Sequence, residues 1–370
     1  MSDRLRILHT ESSTGWGGQE IRILTEMRGM LDRGHAVTLV TPEDAQLHPA
    51  ARKLGIPVQA LPIGRKNLGG LSALRGWLGG QQWAFDVINT HSSTDSWLAA
   101  VACATRGSAP PIVRTRHVST AVNNGLGTRW LYLRATRHIV TTGEALRQQL
   151  HRDNGFPLER MTSVRTGIDL QRYRPLDQAE CRRKLGLEAG PTVGVVATLR
   201  DWKGHDILFE AWGAIQREVP GVRLVIVGDG PYRDRLDAMV ERLGIGASLR
   251  FVGHQENVTE WLNAFDVFTL PSWGDEGVPQ AIMQAMACGK PVVSTPVGAI
   301  TEAVVADRTG LIVPPRDAPA LANALIRVLR DPVLCATLGQ AGLQRARDQF
   351  GIDAMLDRME AVFRGAISGR

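Results

Sequence analysis

At 370 residues the chain is longer than a single hydrophobic core usually supports, so two domains are expected. Its 44% apolar and 22% charged residues exclude a disordered chain, and no stretch approaches a membrane-spanning length. The cysteines lack the close spacing of a zinc site, so reduced thiols are expected at Cys103, Cys181, Cys288 and Cys335. The first residues lack the apolar segment of a secretory signal, and a cytoplasmic protein is therefore expected.

The net charge of +6 is unevenly distributed along the chain. Residues 1–175 carry 22 Lys and Arg against 13 Asp and Glu, whereas the remainder carries 21 against 24. The basic half suggests a domain that meets an anionic acceptor or surface. An arginine-rich solvated face would produce the same asymmetry.

The first hundred residues predict β-α-β units. Residues 5–9 are typical of a strand, the glycine-rich loop 11–18 follows, and residues 35–40 are typical of the next strand. Apolar residues at helical spacing predict a helix between the loop and the second strand: Ile21, Leu24, Met27 and Leu31. The loop does not contain G-x-G-x-x-G, so the dinucleotide-binding fingerprint is absent.

Strand and helix patterns continue to alternate and predict a parallel, doubly wound sheet. Ligands of such sheets bind beyond the carboxyl ends of the strands. His91 and His117 both fall at such ends, with Arg116 directly before His117. A structural role is commoner for a histidine, but the shared position makes His91 and His117 candidates for a site.

Residues 126–137 predict a helix that mixes Trp130, Tyr132 and leucines with arginines. A helix lying on a membrane surface has this composition. An ordinary half-buried helix of the first domain has it too, and that interpretation is favoured because arginine and leucine are both good helix formers.

The second domain is expected to follow a polar, glycine-containing linker at 185–191, and it begins with a strand at 192–198. We predict domains at 1–180 and 181–350, with a final helix at 351–370 that packs on the first domain. Arg200 and Lys203 lie on the loop between the strand and the next helix, a position suited to phosphate oxygens. Basic residues on such a loop are often only solvated.

Residues 276–294 predict a charged turn, a helix from about 278 to 288 and a strand. Pro279 suits the first helical position and Gly289 the left-handed exit. The free N–H groups at the start of this helix are suited to an anionic ligand such as a diphosphate, and Glu276 could bind sugar hydroxyls beside it. An ordinary helix with an acidic first turn is the alternative.

This stretch resembles the donor-binding signature of retaining glycosyltransferases of family 4, E-G-x-P-x-x-x-x-E-A-M-A-x-G-x-P-V-V. Gln284 stands where the family has a second glutamate, which binds the ribose hydroxyls. Lys203-Gly204 resembles the family's phosphate-binding K-G. The position of the family's arginine is occupied by Thr198 in this chain, and Arg200 lies two residues further along. The family's G-G-x-E motif is matched by Gly17-Gly18-Gln19-Glu20, and His117 is similar to the histidine beside the donor sugar.

The resemblance implies an α/β GT-B fold of two facing Rossmann-like, doubly wound domains with an interdomain cleft. It implies His117, Lys203 and Glu276 as catalytic residues and His91 and Arg116 as candidates on the acceptor side. The implied donor-binding set is Gly17, Gly18, Arg200, Lys203, Glu276, Gly277, Val278, Pro279 and Gln284.

The implied reaction is transfer of a sugar, with retention of configuration, from a nucleoside-diphosphate sugar to a saccharide or lipid-linked saccharide. Lipopolysaccharide or other cell-surface polysaccharide synthesis is the expected context, with peripheral contact at the cytoplasmic membrane face left open. No D-x-D pair is present, so no metal is expected. No cofactor and no nucleic-acid partner are expected either. The alternatives are a GT-B nucleotide-sugar epimerase or hydrolase and a non-catalytic nucleotide-sugar-binding protein.

Overall fold

The computed structural model of the protein describes residues 4–82, 84–106, 109–117, 120–274 and 276–369. They form two compact units. The first unit comprises the chain up to Gly167 together with the residues from Ile352 onward, and the second comprises Ile168–Gly351.

The boundary between the units lies at Gly167 rather than at the expected residue 180. The helix Gln178–Leu185 therefore belongs to the second unit. Its first residue donates a hydrogen bond from Nε2 to the carbonyl of Phe265, 2.8 Å away, and Arg182 forms an ion pair of 2.6 Å with Asp266. These contacts attach the helix to the second unit, and a polar linker composition did not reveal them.

Seven parallel strands form the sheet of the first unit. In chain order they are β1 Arg6–Thr10, β2 Ala36–Thr41, β3 Val58–Ala60, β4 Val87–Thr90, β5 Ile112–Arg116, β6 Thr136–Thr141 and β7 Met161–Ser163. Their order in the sheet is β3-β2-β1-β4-β5-β6-β7, so the direction of winding reverses between β1 and β4. This is the doubly wound arrangement that the alternating pattern predicted.

Six parallel strands form the sheet of the second unit. They are β8 Thr192–Val196, β9 Arg223–Val227, β10 Leu249–Phe251, β11 Val267–Leu270, β12 Val292–Ser294 and β13 Gly310–Ile312. Their order is β10-β9-β8-β11-β12-β13, with the reversal between β8 and β11. The central strands are almost completely buried, which explains their runs of β-branched residues.

Helices connect the strands in both units. Those before the boundary are α1 Gly18–Asp32, α2 Leu47–Lys53, α3 Leu68–Gly80, α4 Ser93–Ala104, α5 Leu126–Trp130 and α6 Glu144–Asn154. Those after it are α7 Gln178–Leu185, α8 His205–Glu218, α9 Arg233–Leu243, α10 Thr259–Ala264, α11 Gln280–Ala287, α12 Ile300–Ala303, α13 Ala318–Arg330, α14 Pro332–Gln349 and α15 Ile352–Ser368. In the part of the chain that is described, none of these helices is both long enough and apolar enough to span a bilayer.

Helix α15 is the last element of the chain and lies in the first unit. Met355, Met359 and Phe363 are each at most 2% exposed and belong to the same apolar cluster as the strand residues Ile7 and Val87. The first core is therefore built from both ends of the chain.

The helix expected over residues 126–137 is shorter and irregular. It consists of α5 followed by a π-helical turn, Leu131–Ala135, and Thr136 already begins β6. Arg160 donates from its guanidinium to the carbonyls of Leu133, at 2.6 Å, and Thr136, at 2.5 Å. Because this side chain satisfies carbonyls at the helix end, the chain can leave the helix and enter the strand there.

Candidate functional site

Each sheet has one point where the strand order reverses, and ligands of doubly wound sheets bind beyond the carboxyl ends of the strands at this point. In the first unit the loops after β1 and β4 leave the sheet there, and in the second unit the loops after β8 and β11 do so. Most of the site residues predicted from the sequence lie on these loops or just after them.

In the second unit the structure brings Lys203 and Glu276 together. Lys203 ends a short 3-10 turn after β8, and Glu276 lies on the loop between β11 and α11. The Lys203 Nζ atom is 2.6 Å from Oε1 of Glu276, and Ser272 donates from its hydroxyl to the same oxygen at 2.7 Å. The side chains are only 18% and 9% exposed, so this ion pair is shielded from water more than a surface pair.

Gly298 fixes the backbone that carries Glu276. Its φ is +55°, and a Cβ atom built on it would lie 2.0 Å from the carbonyl oxygen of Glu276. The neighbouring Ala299 donates its N–H to that same oxygen at 2.9 Å. Only a glycine allows this close approach, so the carboxylate is positioned by a turn about twenty residues further along the chain.

The loops after β8 and β11 are also bonded to each other. Trp273 donates its N–H to the carbonyl of Trp202 at 2.9 Å. Arg200 is exposed, and its guanidinium lies 5.2 Å from the ring centroid of Trp202. The structure thus places Arg200 on the same loop as Lys203, with its charge open to solvent and partly supported by an indole face.

Helix α11 begins two residues later than expected, at Gln280, and Pro279 precedes it with φ −68°. Gly277 is exposed, whereas the side chain of Val278 is buried in the apolar core of the second unit. Only the backbone of Val278 could therefore contact a ligand. Gln284 lies one turn into the helix and is half-buried.

In the first unit three histidines follow one another across adjacent strands. His9 lies on β1, His91 follows β4 and His117 follows β5. His9 Nδ1 is 3.0 Å from His91 Nε2, and His91 Nδ1 is 3.0 Å from His117 Nε2. Sequence reasoning found His91 and His117 and missed His9, which carries no motif and joins the group only through the strand order.

Burial lowers the pKa of His9 to about 3, and burial also holds the pKa values of His91 and His117 well below the ordinary value. The Arg22 guanidinium of α1 further lowers the pKa of His91 and of His117. All three imidazoles are therefore neutral at physiological pH.

A buried carboxylate pair, also missed from the sequence, holds the turn after β4. Asp95 accepts hydrogen bonds from the N–H of His91, at 2.9 Å, and from the Thr10 hydroxyl, at 2.8 Å. Burial and the nearby Glu11 carboxylate raise the pKa of Asp95 to about 7, and burial raises the pKa of Glu11. The spacing of Ser92 and Asp95 is that of a capping box, and this signal could have identified Asp95.

The remaining candidates of the first unit are Gly17, Gly18 and Arg116, and they differ in how available they are for contacts with a ligand. Gly17 directly precedes α1 and Gly18 is its first residue. Arg116 is buried and donates to Tyr132 Oη at 3.2 Å and to the Thr120 carbonyl. Its guanidinium is thus engaged in contacts inside the unit, and its acceptor role stays a prediction.

Similarity to known proteins identifies the family to which this chain belongs. Residues 16–172 match the model of "Glycosyltransferase Family 4", and residues 190–331 match that of "Glycosyl transferases group 1". The D-inositol 3-phosphate glycosyltransferase of Saccharomonospora viridis is 32% identical to the chain, over 94% of this chain and 91% of the relative. The chain belongs to glycosyltransferase family 4.

One further relative and one solved structure are similar to this glycosyltransferase. The lipopolysaccharide core biosynthesis mannosyltransferase LpsB of Rhizobium meliloti is 32% identical over 55% of this chain and 60% of the relative. A crystal structure of Anabaena HepE in complex with UDP superposes with a TM-score of 0.87 at 22% identity, covering 98% of this chain and 100% of the other. This likeness confirms the α/β GT-B fold of the glycosyltransferase.

Proposed function

We propose that this family 4 glycosyltransferase transfers a sugar, with retention of anomeric configuration, from a nucleoside-diphosphate sugar to a saccharide or lipid-linked saccharide. The proposed context is the synthesis of a cell-surface polysaccharide such as lipopolysaccharide. The observation that carries the proposal is the pairing of Lys203 with Glu276 at the reversal point of the second sheet. One group is suited to a phosphate and the other to sugar hydroxyls.

Relatives support the choice of donor and acceptor. HepE has been crystallised with UDP and with UDP-glucose, and LpsB is named as a mannosyltransferase of the lipopolysaccharide core. The basic balance of residues 1–175 suits an anionic acceptor.

The main catalytic task is to stabilise the charge that develops on the leaving diphosphate. In the proposed mechanism Lys203 and Arg200 supply positive charge to the phosphate oxygens, and the N–H groups at the start of α11 add the dipole of a helix N-terminus. Glu276 orients donor hydroxyls and is not a covalent nucleophile. The departing phosphate takes the acceptor proton as the acceptor attacks from the same face, and the configuration is retained.

The proposal is tested by incubating the purified protein with uridine, guanosine, adenosine and cytidine diphosphate sugars. Thermal stabilisation by one diphosphate series, followed by glycoside formation on an acceptor panel, is the expected result. The anomeric coupling in the proton spectrum of the first product then reports retention or inversion. An inverted product would overturn the proposed stereochemistry.

The same incubations distinguish two alternatives. A nucleotide-sugar epimerase or hydrolase would release nucleotide or an altered sugar without any acceptor. A non-catalytic binding protein would be stabilised by nucleotide but would show no turnover, an outcome that the replacement of a family glutamate by Gln284 makes worth measuring.

Peripheral contact with the cytoplasmic membrane face is proposed on a separate observation. Leu126, at the start of α5, is 89% exposed, and Arg129, Arg134 and Arg137 follow on the same segment. An exposed apolar residue beside cations suits an anionic lipid surface. Sedimentation with phosphatidylglycerol vesicles but not with phosphatidylcholine vesicles, weakened in Leu126→Ser, is the expected result.

A further inference from the structure

His9, His91 and His117 form a hydrogen-bonded row, and the row ends at His9 in a ring nitrogen without a hydrogen-bond partner among the described residues. His9 is fully buried, and its Nε2 atom has no hydrogen-bond partner among the described residues. The ring packs edge to face with Phe363, whose phenyl group offers no lone pair. The other end of the row differs, since His117 is only half-buried and lies beyond the carboxyl end of β5.

This asymmetry decides where the protons of the row lie. A neutral imidazole carries one N–H, so each of the two 3.0 Å contacts between rings takes one donor and one acceptor. If His9 carried its proton on Nε2, that N–H would be buried without an acceptor, which folded proteins avoid more strictly than an unused lone pair. His9 is therefore protonated on Nδ1 and donates to His91 Nε2.

The same reasoning propagates along the row. Because His91 accepts at Nε2, its proton is on Nδ1 and is donated to His117 Nε2. His117 must then carry its own proton on Nδ1, the nitrogen that has no hydrogen bond to a described residue. Burial keeps the row neutral, and the nearby Arg22 further lowers the pKa of both His91 and His117.

We propose that His9 and His91 are positioning residues that fix the tautomer of His117, so that His117 presents an Nδ1–H donor to the ligand. This inference rests on the proposed function for the nature of the ligand, a nucleotide sugar or its saccharide acceptor. A fixed N–H donor binds a sugar hydroxyl or phosphate oxygen, and it cannot remove a proton from an acceptor. The row thus assigns His117 to binding and orientation, in agreement with a mechanism in which the leaving phosphate takes the proton.

The tautomers can be read directly from the full-length protein labelled with ¹⁵N-histidine. Long-range proton–nitrogen correlation spectra distinguish a protonated from an unprotonated ring nitrogen. We expect Nδ1–H at all three positions in the free wild-type protein at pH 7. An Nε2–H at His117 would overturn the proposal without any variant being made.

Two substitutions of His9 separate positioning from packing. His9→Leu removes the donor to His91, whereas His9→Asn keeps an amide N–H close to the position of Nδ1. In His9→Leu we expect His117 to show both tautomers and kcat to fall about tenfold, the value of one hydrogen bond, with the donor KM changed less. His9→Asn is expected to restore both the His117 spectrum and kcat to within about threefold of wild type.

His151→Asn is the matched control, because His151 bonds through Nδ1 to the Phe156 carbonyl at 2.9 Å and lies outside the row. It should leave the His117 spectrum unchanged. Identical His117 spectra in His9→Leu and His9→Asn would contradict the proposal. The spectra need no substrate, so absence of transferase activity in the wild type would count against the proposed function alone.

Discussion

The ammonium group of Lys203 lies 2.6 Å from the Glu276 carboxylate. The group suited to the donor phosphate is thus neutralised by the group suited to the donor sugar. A diphosphate that enters the site must compete with Glu276 for Lys203, and the carboxylate that it frees becomes available to sugar hydroxyls. We therefore expect nucleotide binding to break the contact between Lys203 and Glu276 and to replace it with contacts to the nucleotide sugar.

Lys203→Ala is expected to lower kcat/KM by about 10² to 10³, the usual cost of removing one group that stabilises developing charge. It should also abolish thermal stabilisation by the nucleoside diphosphate. Lys184→Ala is the control, since Lys184 is a half-exposed lysine of the same unit that pairs with Glu180 at 3.1 Å. Equal losses in the two variants would contradict the role given to Lys203.

Gly298→Ala is expected to weaken donor binding by more than tenfold, because the new methyl group would collide with the Glu276 carbonyl and displace the carboxylate. Gly244→Ala is the matched control in the same unit. Gly244 has a similar φ of +65°, but no atom lies within 4 Å of an added Cβ. It should pay only the backbone cost of about 1 kcal/mol, measured by urea unfolding, while its affinity for nucleotide in calorimetry stays unchanged.

Gln284→Glu is expected to tighten nucleotide binding about fivefold, because a carboxylate forms a stronger hydrogen bond to a hydroxyl than an amide does. Isothermal titration with the preferred diphosphate measures the change. Gln340→Glu places the same charge on an exposed position of α14 and should have no effect. A weaker affinity in Gln284→Glu would show that the glutamine is adapted to a different ligand group.

His205 makes the stability of the second unit depend on pH. It is 1% exposed, neither ring nitrogen has a partner among the described residues, and burial together with Lys203 lowers its pKa to about 3. The unfolded chain binds a proton below its ordinary pKa of 6.5, whereas the folded chain stays neutral down to about 3. The stabilisation is thus complete above pH 6.5 and is lost at about 1.4 kcal/mol per pH unit as the pH falls toward 3.

Replacing this histidine with leucine should remove that dependence. Between pH 7.5 and pH 5.0 the free energy of unfolding of wild type should fall by about 2 kcal/mol more than that of His205→Leu, measured by urea titration. His254→Leu changes an exposed histidine of the same unit and should retain the wild-type slope. Parallel pH curves for wild type and His205→Leu would show that folding does not lower the pKa of His205.

Chelator is expected to leave the transferase rate unchanged, because the proposed mechanism assigns the leaving-group charge to Lys203, Arg200 and backbone N–H groups. The measurement is the initial rate after dialysis against EDTA, compared with rates after magnesium or manganese is added back. A rate that vanished with EDTA and returned only with one of these metals would refute metal independence.

The local patterns of the sequence were sufficient for most strands and for the position of Lys203 and Glu276 on the loops after β8 and β11. Glu276 and Lys203 belong to short motifs whose spacing already fixes their place at a strand end and a helix start. His9 could not be found in this way, because its neighbours depend on β1 lying beside β4, a relationship between residues about eighty positions apart. The boundary at Gly167 was missed for a similar reason, since it is set by contacts of α7 with residues near 265.

Core residues of the first unit are separated in the chain by the whole of the second. Ile168 donates its N–H to the Phe350 carbonyl at 2.6 Å, so the second unit closes on itself as an insertion. During synthesis, 184 residues from Ile168 to Gly351 must be made before α15 emerges, which takes roughly 10 to 40 s at common elongation rates. Throughout that interval the nascent first unit lacks the side chains of Met355, Met359 and Phe363, which fill its apolar core in the folded protein.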